Sequence, residues 1–260
     1  MSLRALCLLF ALTLLPVIAS AQTDESRLTD EIQVYDAHLA RPGVFNLTWH
    51  QNFTPKGATA PAFPGGLISN HAYVGVPEWA YGVTEWFELG LYVPLYSFTK
   101  DYGSSLNGFK IRTLFAVPKA RKRTFFYGAN FEFSYNAKQW NTKRFTSEIR
   151  PIVGWHLGDT DIIINPILDN SYIGLKNLDL APAVRIAHKF TPNWTMGLEQ
   201  YADYGAVHSL NTFHNQAHQF YVVADRAVKG IDVEVGVGIG VTASTDKLRL
   251  KLILSRDLNN

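Results

Sequence analysis

Residues 230–242 read GIDVEVGVGIGVT, and this stretch decides the fold. Every second position from Ile231 to Val241 is β-branched and apolar, whereas the positions from Asp232 to Thr242 between them carry carboxylates, glycines and a hydroxyl. Successive side chains of a β-strand point to opposite faces. The stretch therefore predicts a strand with one fully apolar face and one polar face.

The same alternation recurs about a dozen times along the chain, which is typical of a transmembrane β-barrel rather than a soluble sandwich. Strands are predicted near residues 43–53, 72–82, 85–97, 109–117, 124–135, 144–156, 160–168, 176–189, 194–204, 217–226, 230–242 and 246–256. We predict an all-β fold, a transmembrane antiparallel up-and-down β-barrel of about 12 strands. The alternative is a soluble periplasmic β-domain, for example a lipocalin-like barrel with an apolar interior.

Two regularities favour insertion into a membrane. Long predicted connections (about 54–71, 98–108, 136–143, 169–175 and 205–216) alternate with tight ones, as expected for extracellular loops and periplasmic turns. Tryptophans at four positions lie next to the predicted short turns, where indoles would form a belt at one membrane interface. These residues are Trp79, Trp86, Trp155 and Trp194.

The N-terminus has the pattern of a secretory signal. Arg4 supplies a positive charge, residues 5–18 form an apolar core, and residues 19–21 read ASA, which predicts cleavage near Ala21. The expected organisation is a signal peptide at 1–21, a periplasmic or lumenal segment at 22–42, and an outer-membrane barrel at 43–260. The single cysteine, Cys7, lies in the signal, so disulfide and cysteine chemistry are excluded from the mature chain.

Composition argues against several function classes. The formal net charge is +2 and the basic residues are scattered, so no nucleic-acid surface is predicted. After the signal, the chain has no apolar run long enough for a transmembrane helix. No cofactor and no metal site are predicted. The expected partners are outer-membrane lipids and lipopolysaccharide, the barrel assembly machinery and a small-molecule solute.

Charged side chains on the inward faces are the candidate site. Twelve strands enclose a lumen wider than side chains alone readily fill, so these residues are candidates to line a pore and bind a solute. They are Glu88, Lys110, Arg112, Glu132, Glu148, Arg150, Arg185, Glu199 and Glu234. Because positive and negative charges are both present, the same residues would also form a lattice of salt bridges that holds the barrel rigid. Lining a pore and bracing the barrel are compatible roles.

Other chemistries have weaker signals. Five histidines are predicted near the extracellular end and would suit either a metal site or ordinary solvated loops: His50, His71, His208, His214 and His218. An outer-membrane lipid hydrolase is the enzymatic alternative, with His50 and Asn52 as its best candidates, although both are predicted to face inward and no serine pairs with them. Glycines 236, 238 and 240 would either clear room for a solute or let an internal plug pack closely.

Residues 77–97 (PEWAYGVTEWFELGLYVPLYS) resemble a family of outer-membrane proteins named for the MetA pathway of phenol degradation. The stretch RPIVGW at 150–155 and the charged ending LSRD at 254–257 are similar to the same lineage. The resemblance implies a Gram-negative outer-membrane barrel and transport of small organic compounds. It brings no catalytic residues.

The sequence thus predicts a monomeric outer-membrane channel, porin-like, for passive uptake of small organic solutes, aromatic or charged. No enzymatic activity is predicted. A lipid hydrolase and a plugged structural or adhesive barrel remain as alternatives.

Overall fold

The computed structural model describes residues 25–259; the predicted signal peptide and residues 22–24 lie outside this range. Within it the chain forms fourteen strands and two short 3₁₀ turns, Ala120–Lys122 and Leu175–Asn177. The strands are β1 (Phe45–Lys56), β2 (Ala72–Thr84), β3 (Phe87–Thr99), β4 (Gly103–Ala116), β5 (Phe125–Asn136), β6 (Phe145–Leu157), β7 (Thr160–Asn165), β8 (Leu168–Asn170), β9 (Asp179–Leu180), β10 (Ala183–Thr191), β11 (Trp194–Asp203), β12 (Ala217–Val228), β13 (Ile231–Gly240) and β14 (Leu248–Asp257). No helix among the described residues is long and apolar enough to cross a membrane.

These elements form a closed antiparallel barrel in which the described chain contributes 12 barrel strands. Barrel strands that follow one another in sequence pair throughout when β7 with β8, and β9 with β10, are each taken as one strand. β5 pairs with β6, and β1 pairs with β14 to complete the ring. Closure leaves no open sheet edge for lipid to contact, as a membrane barrel requires. The predicted transmembrane up-and-down barrel of about 12 strands is therefore confirmed.

Two barrel strands are interrupted by prolines. β7 and β8 pair with β6 in one continuous register on either side of Pro166. On either side of Pro182, β9 pairs with β8 and β10 pairs with β7, again in one continuous register. Proline has no N–H to donate to a ladder, so the regular pairing stops there and resumes beyond it. Each pair of short strands counts as one strand of the barrel.

The two faces of the wall have opposite chemistry. Large apolar side chains are exposed on the outside, among them Leu89, Leu91, Ile111, Phe131, Phe133, Ile149, Ile186, Leu198, Val222, Val235, Val237 and Ile239. Polar and charged side chains are buried in the lumen, among them His50, Asn52, Glu78, Glu88, Arg112, Asn130, Glu132, Arg150, Asn165, Glu199 and Lys251. An apolar surface this extensive is rare on soluble monomers, and it fits a lipid-facing wall.

The connections are longer at one end of the barrel than at the other. Long connections at residues 57–71, 137–144, 171–178, 204–216 and 241–247 lie at the end we assign as extracellular. The opposite end has two-residue turns at 85–86, 158–159, 192–193 and 229–230, together with the longer connection 117–124. The predicted long loop at 98–108 was wrong. Residues Gly103–Ala116 form a strand that pairs with β3, leaving only 100–102 as the turn, because backbone pairing extends through a glycine- and serine-rich stretch with few strand-forming side chains.

Candidate functional site: the occluded lumen

The described part of the N-terminal segment, residues 25–42, runs through the lumen from end to end. Near its start, the Ser26 N–H donates to the Trp140 carbonyl in the extracellular connection 137–144. Near its end, the backbone passes close to Gly82, where an added Cβ would lie 2.3 Å from the Arg41 carbonyl oxygen. Glycine is therefore required at the periplasmic rim for the segment to pass. In this structure residues 25–42 therefore lie inside the barrel.

Apolar side chains of the segment are buried against three apolar patches on the inner wall. Leu28 packs in a cluster that includes Leu67, Val74, Val76, Leu95 and Trp140. Ile32 packs against Tyr221 and Val223. Val34 and Ala37 join a cluster that includes Leu114, Phe126, Ile152 and Ile163. The segment therefore fills the lumen along most of its depth through the removal of apolar surface from water.

Between these patches, side chains of the wall bind the backbone of the segment. Asn52 donates to the Thr29 and Asp30 carbonyls at 3.0 and 2.9 Å. Lys251 donates to the Ile32 carbonyl at 3.1 Å, and Arg150 donates to the Gln33 carbonyl at 3.1 Å. The described segment has no helix and no strand beyond one isolated bridge at Glu25. Several of its backbone polar groups are therefore satisfied by lumenal side chains instead of by a ladder.

One group of charged residues lies on β2 to β6, and we call it the first cluster: Glu78, Glu88, Lys110, Arg112, Glu132, Glu148 and Arg150. Arg112 pairs with both Glu78 and Glu88, and Arg150 Nε donates to Glu148 at 2.6 Å. The segment contributes two more carboxylates. Asp30 Oδ2 lies 2.7 Å from Lys110 Nζ, and Glu31 Oε1 lies 3.3 Å from Arg150 Nη1.

A second group lies on the opposite part of the wall, on β10 to β14, and we call it the second cluster: Arg185, Glu199, Asp225, Glu234 and Lys251. Arg185 pairs with Glu199, Asp225 and Glu234. Lys251 lies 2.5 Å from carboxylate oxygens of Glu199 and Glu234. This network consists of wall residues alone, and Lys251 reaches the segment only at a backbone carbonyl.

The structure places all nine predicted site residues in the lumen, and each belongs to one of the two clusters. Their positive and negative side chains form ion pairs with one another or with neighbouring lumenal residues. In this structure the segment lies among them. Their role in solute passage stays a prediction. The candidate list did not include several residues that make the site: Asp30, Glu31, Tyr35, Glu78, Tyr92, Asn165 and Lys251. The alternation of side chains along β2, β3 and β14 predicts that Glu78, Tyr92 and Lys251 point into the lumen. The residues of the segment show no such periodicity, so their positions could not be predicted in this way.

The glycines of β13 neither open a solute path nor border the segment directly. An added Cβ at Gly238 would lie 2.3 Å from the Tyr221 ring, and one at Gly236 would lie 2.8 Å from the Lys251 side chain. At Gly240 the nearest atom would be the Asp246 carbonyl oxygen, at 2.2 Å. Each glycine accommodates a neighbour from the barrel itself, and two of those neighbours, Tyr221 and Lys251, in turn contact the segment.

The residues proposed for other chemistries are placed differently. His50 lies halfway along β1 in the lumen, with Nε2 3.1 Å from Glu78 Oε2, so its predicted position at the extracellular end was wrong. His50 and Asn52 are both buried away from the lipid-facing surface, where a lipid hydrolase needs its reactive groups. Across residues 25–259, no group of three or more His, Cys, Asp or Glu side chains is arranged to hold a metal ion.

The barrel is similar to solved outer-membrane proteins. The COG4313 outer membrane channel from Pseudomonas putida F1 superposes with a TM-score of 0.59 over 88% of this chain and 100% of that chain, at 13% sequence identity. The KdgM porin superposes with a TM-score of 0.53 over 82% of this chain and 99% of that chain, at 9% identity. No family model and no curated protein sequence matches this chain. The likeness shows the fold.

Proposed function

We propose that the protein is an outer-membrane channel for passive uptake of small organic solutes, closed in this structure by residues 25–42. The observation that carries the proposal is how the segment is attached. It is held by side-chain contacts and apolar packing, with no strand ladder to the wall among the described residues. Because the barrel closes without it, the segment can leave the lumen while every barrel strand stays paired.

The lumen that such a movement opens has both polar and apolar surface. The first and second clusters would line it with charges of both signs, and the patches that bind Leu28, Ile32 and Val34 would be exposed between them. A path of this kind suits small organic molecules that have an apolar body and a polar group. The names of the two similar proteins, a channel and a porin, support this proposal, as does the resemblance to the phenol-degradation family, to which we propose the chain belongs.

The test is single-channel conductance in a planar bilayer. We expect the refolded protein to conduct little, and a variant lacking residues 25–40 to give discrete steps that scale with salt concentration, because the lumen would then be water-filled. A synthetic peptide of residues 25–42 should block those steps, and a scrambled peptide should not.

Folding of the deletion variant is checked by heat-modifiable migration in electrophoresis. A folded variant that remained silent would show that the lumen does not conduct, and would favour the structural or adhesive alternative.

A further inference from the structure

Arg226 is a charged side chain on the lipid-facing side of the barrel, near its periplasmic end. The preceding residue, Asp225, points into the lumen and pairs with Arg185, so the alternation of β12 turns Arg226 outward. The Arg226 guanidinium carbon lies 4.9 Å from the centroid of the Trp194 ring, which is exposed at the start of β11. A tryptophan beside a periplasmic turn marks the level of the lipid head groups. The charge of Arg226 is therefore held at the depth of the lipid phosphates.

The guanidinium of Arg226 has no acidic partner on the barrel. Within residues 25–259 it makes no ion pair and no hydrogen bond, because the nearby carboxylates of Asp225 and Glu234 are held by Arg185 on the other face of the wall. Lys229, in the turn that follows β12, adds a second exposed positive charge at the same end. The planar fork of N–H donors on arginine matches the oxygens of a phosphate. This part of the rim is therefore complementary to an anionic head group.

An apolar groove begins on the same face, one step further into the membrane. Ala224 lies two residues from Arg226, about 7 Å along β12, and pairs with Met196 on one side and Val235 on the other. Because alanine carries a single methyl group among longer side chains, the surface is recessed there. The groove has a volume of about 320 Å³, and its lipid-facing lining is Met196, Val222, Ala224, Val235, Val237 and Leu250. A recess of this kind accepts an acyl chain, which gains close apolar contacts along it.

We propose that Arg226, Trp194 and this groove form a binding site for one anionic glycerophospholipid of the periplasmic leaflet. Arg226 binds the phosphate, the Trp194 ring holds the guanidinium in position, and the groove takes one acyl chain. A second copy of the barrel is a poorer fit, because a twofold contact through this face would bring two Arg226 side chains together with no carboxylate to offset them. The site lies outside the lumen, so it does not depend on the channel function or on the position of the segment.

The test is native mass spectrometry of the refolded barrel, released from detergent micelles and titrated with phosphatidylglycerol. We expect one lipid to bind saturably. Arg226→Gln should weaken this binding at least about fivefold, because a charge-assisted contact to the phosphate is lost. Lys122→Gln is the matched control, since it removes one exposed positive charge from the periplasmic connection 117–124 on the opposite side of the ring. It should bind the lipid like the unchanged protein.

A second pair of variants tests the groove without changing any charge. Ala224→Leu fills the recess and should also weaken binding of phosphatidylglycerol several-fold. Ala129→Leu makes the same change on the lipid-facing side of β5, where Ala129 alternates with the exposed Tyr127 and Phe131, and should leave binding unchanged.

Three outcomes would overturn the proposal. Equal losses in Arg226→Gln and Lys122→Gln would mean that net charge attracts the lipid. Equal affinities of Ala224→Leu and Ala129→Leu would mean that no acyl chain lies in the groove. Lipid-free dimers that disappear in Ala224→Leu would assign this face to a second copy of the barrel.

Discussion

The two charged clusters of the lumen differ in what completes them. The second cluster closes on itself, since Arg185 and Lys251 are paired with carboxylates of the wall. The first cluster is completed by Asp30 and Glu31, which belong to the segment and reach Lys110 and Arg150. The second cluster is therefore a permanent brace between strands. The first is a latch, because Lys110 and Arg150 have a segment carboxylate in addition to their wall carboxylates only while the segment is in place.

This difference determines what each cluster does when the segment leaves. The second cluster would lose one hydrogen bond, from Lys251 to the Ile32 carbonyl. The first would lose two ion pairs and expose Arg150 and Lys110 to the lumen, where they become available to a solute. Selectivity is accordingly expected from the first cluster and rigidity from the second.

The largest effect is expected from removing the centre of the brace. Arg185→Met would leave Asp225 without its ion partner and weaken the pairing of Glu199 and Glu234, all in a barrel interior. Removing one partner of a buried ion pair typically costs about 3–5 kcal/mol of unfolding free energy. The measurement is urea-induced unfolding of the refolded barrel in lipid vesicles.

Arg256→Met is the matched control, because Arg256 lies exposed on β14. If Arg185→Met lowered the free energy of unfolding no more than Arg256→Met does, the second cluster would not be a brace.

A smaller loss is expected where a glycine accommodates a wall side chain. Gly238→Ala would place a methyl group 2.3 Å from the buried Tyr221 ring, which also lies 5.5 Å from Lys251 Nζ. Overpacking of this kind costs about 1–3 kcal/mol. In the double variant Gly238→Ala/Tyr221→Ala, the added methyl group should cost much less, because the obstructing ring is gone. Additive losses in the same unfolding assay would contradict the steric explanation.

The barrel could be predicted from the sequence because lipid imposes a period of two on every strand. Residues 230–242 show this alternation most clearly. It can be recognised within one strand, without knowing which strands pair with it. The start of β4 at Gly103 was missed because the residues that begin it are small and polar. Backbone pairing with β3 decides that stretch, and such pairing leaves no pattern in the side chains.

The path of residues 25–42 could not be predicted for a related reason. Leu28, Ile32, Val34 and Ala37 follow neither a helical nor a strand period, because each one fits a separate patch of the wall. The inward charges could be predicted as a lumenal lattice, but their division into a brace and a latch depends on which of them Asp30 and Glu31 reach. That information lies in the tertiary contacts.

The smallest effect is expected from weakening the latch without disturbing the brace. Asp30→Asn removes the charge that pairs with Lys110 at 2.7 Å, while Glu132 remains 3.4 Å from the same Lys110 Nζ. The barrel should keep its stability. Loss of one charge-assisted contact should weaken attachment of the segment by about 1 kcal/mol, which corresponds to roughly a fivefold rise in the ratio of open to closed channels. The measurement is open probability in a planar bilayer.

Asp36→Asn is the control within the same segment. Asp36 is partly exposed and pairs with His38, two residues further along the segment, at 2.7 Å. Removing its charge therefore leaves the Lys110 and Arg150 contacts in place. If both variants raised open probability equally, the effect would come from net charge in the lumen, and the first cluster would not act as a latch. If only Asp30→Asn did so, the ion pair itself controls opening, because the two substitutions change the segment by the same charge.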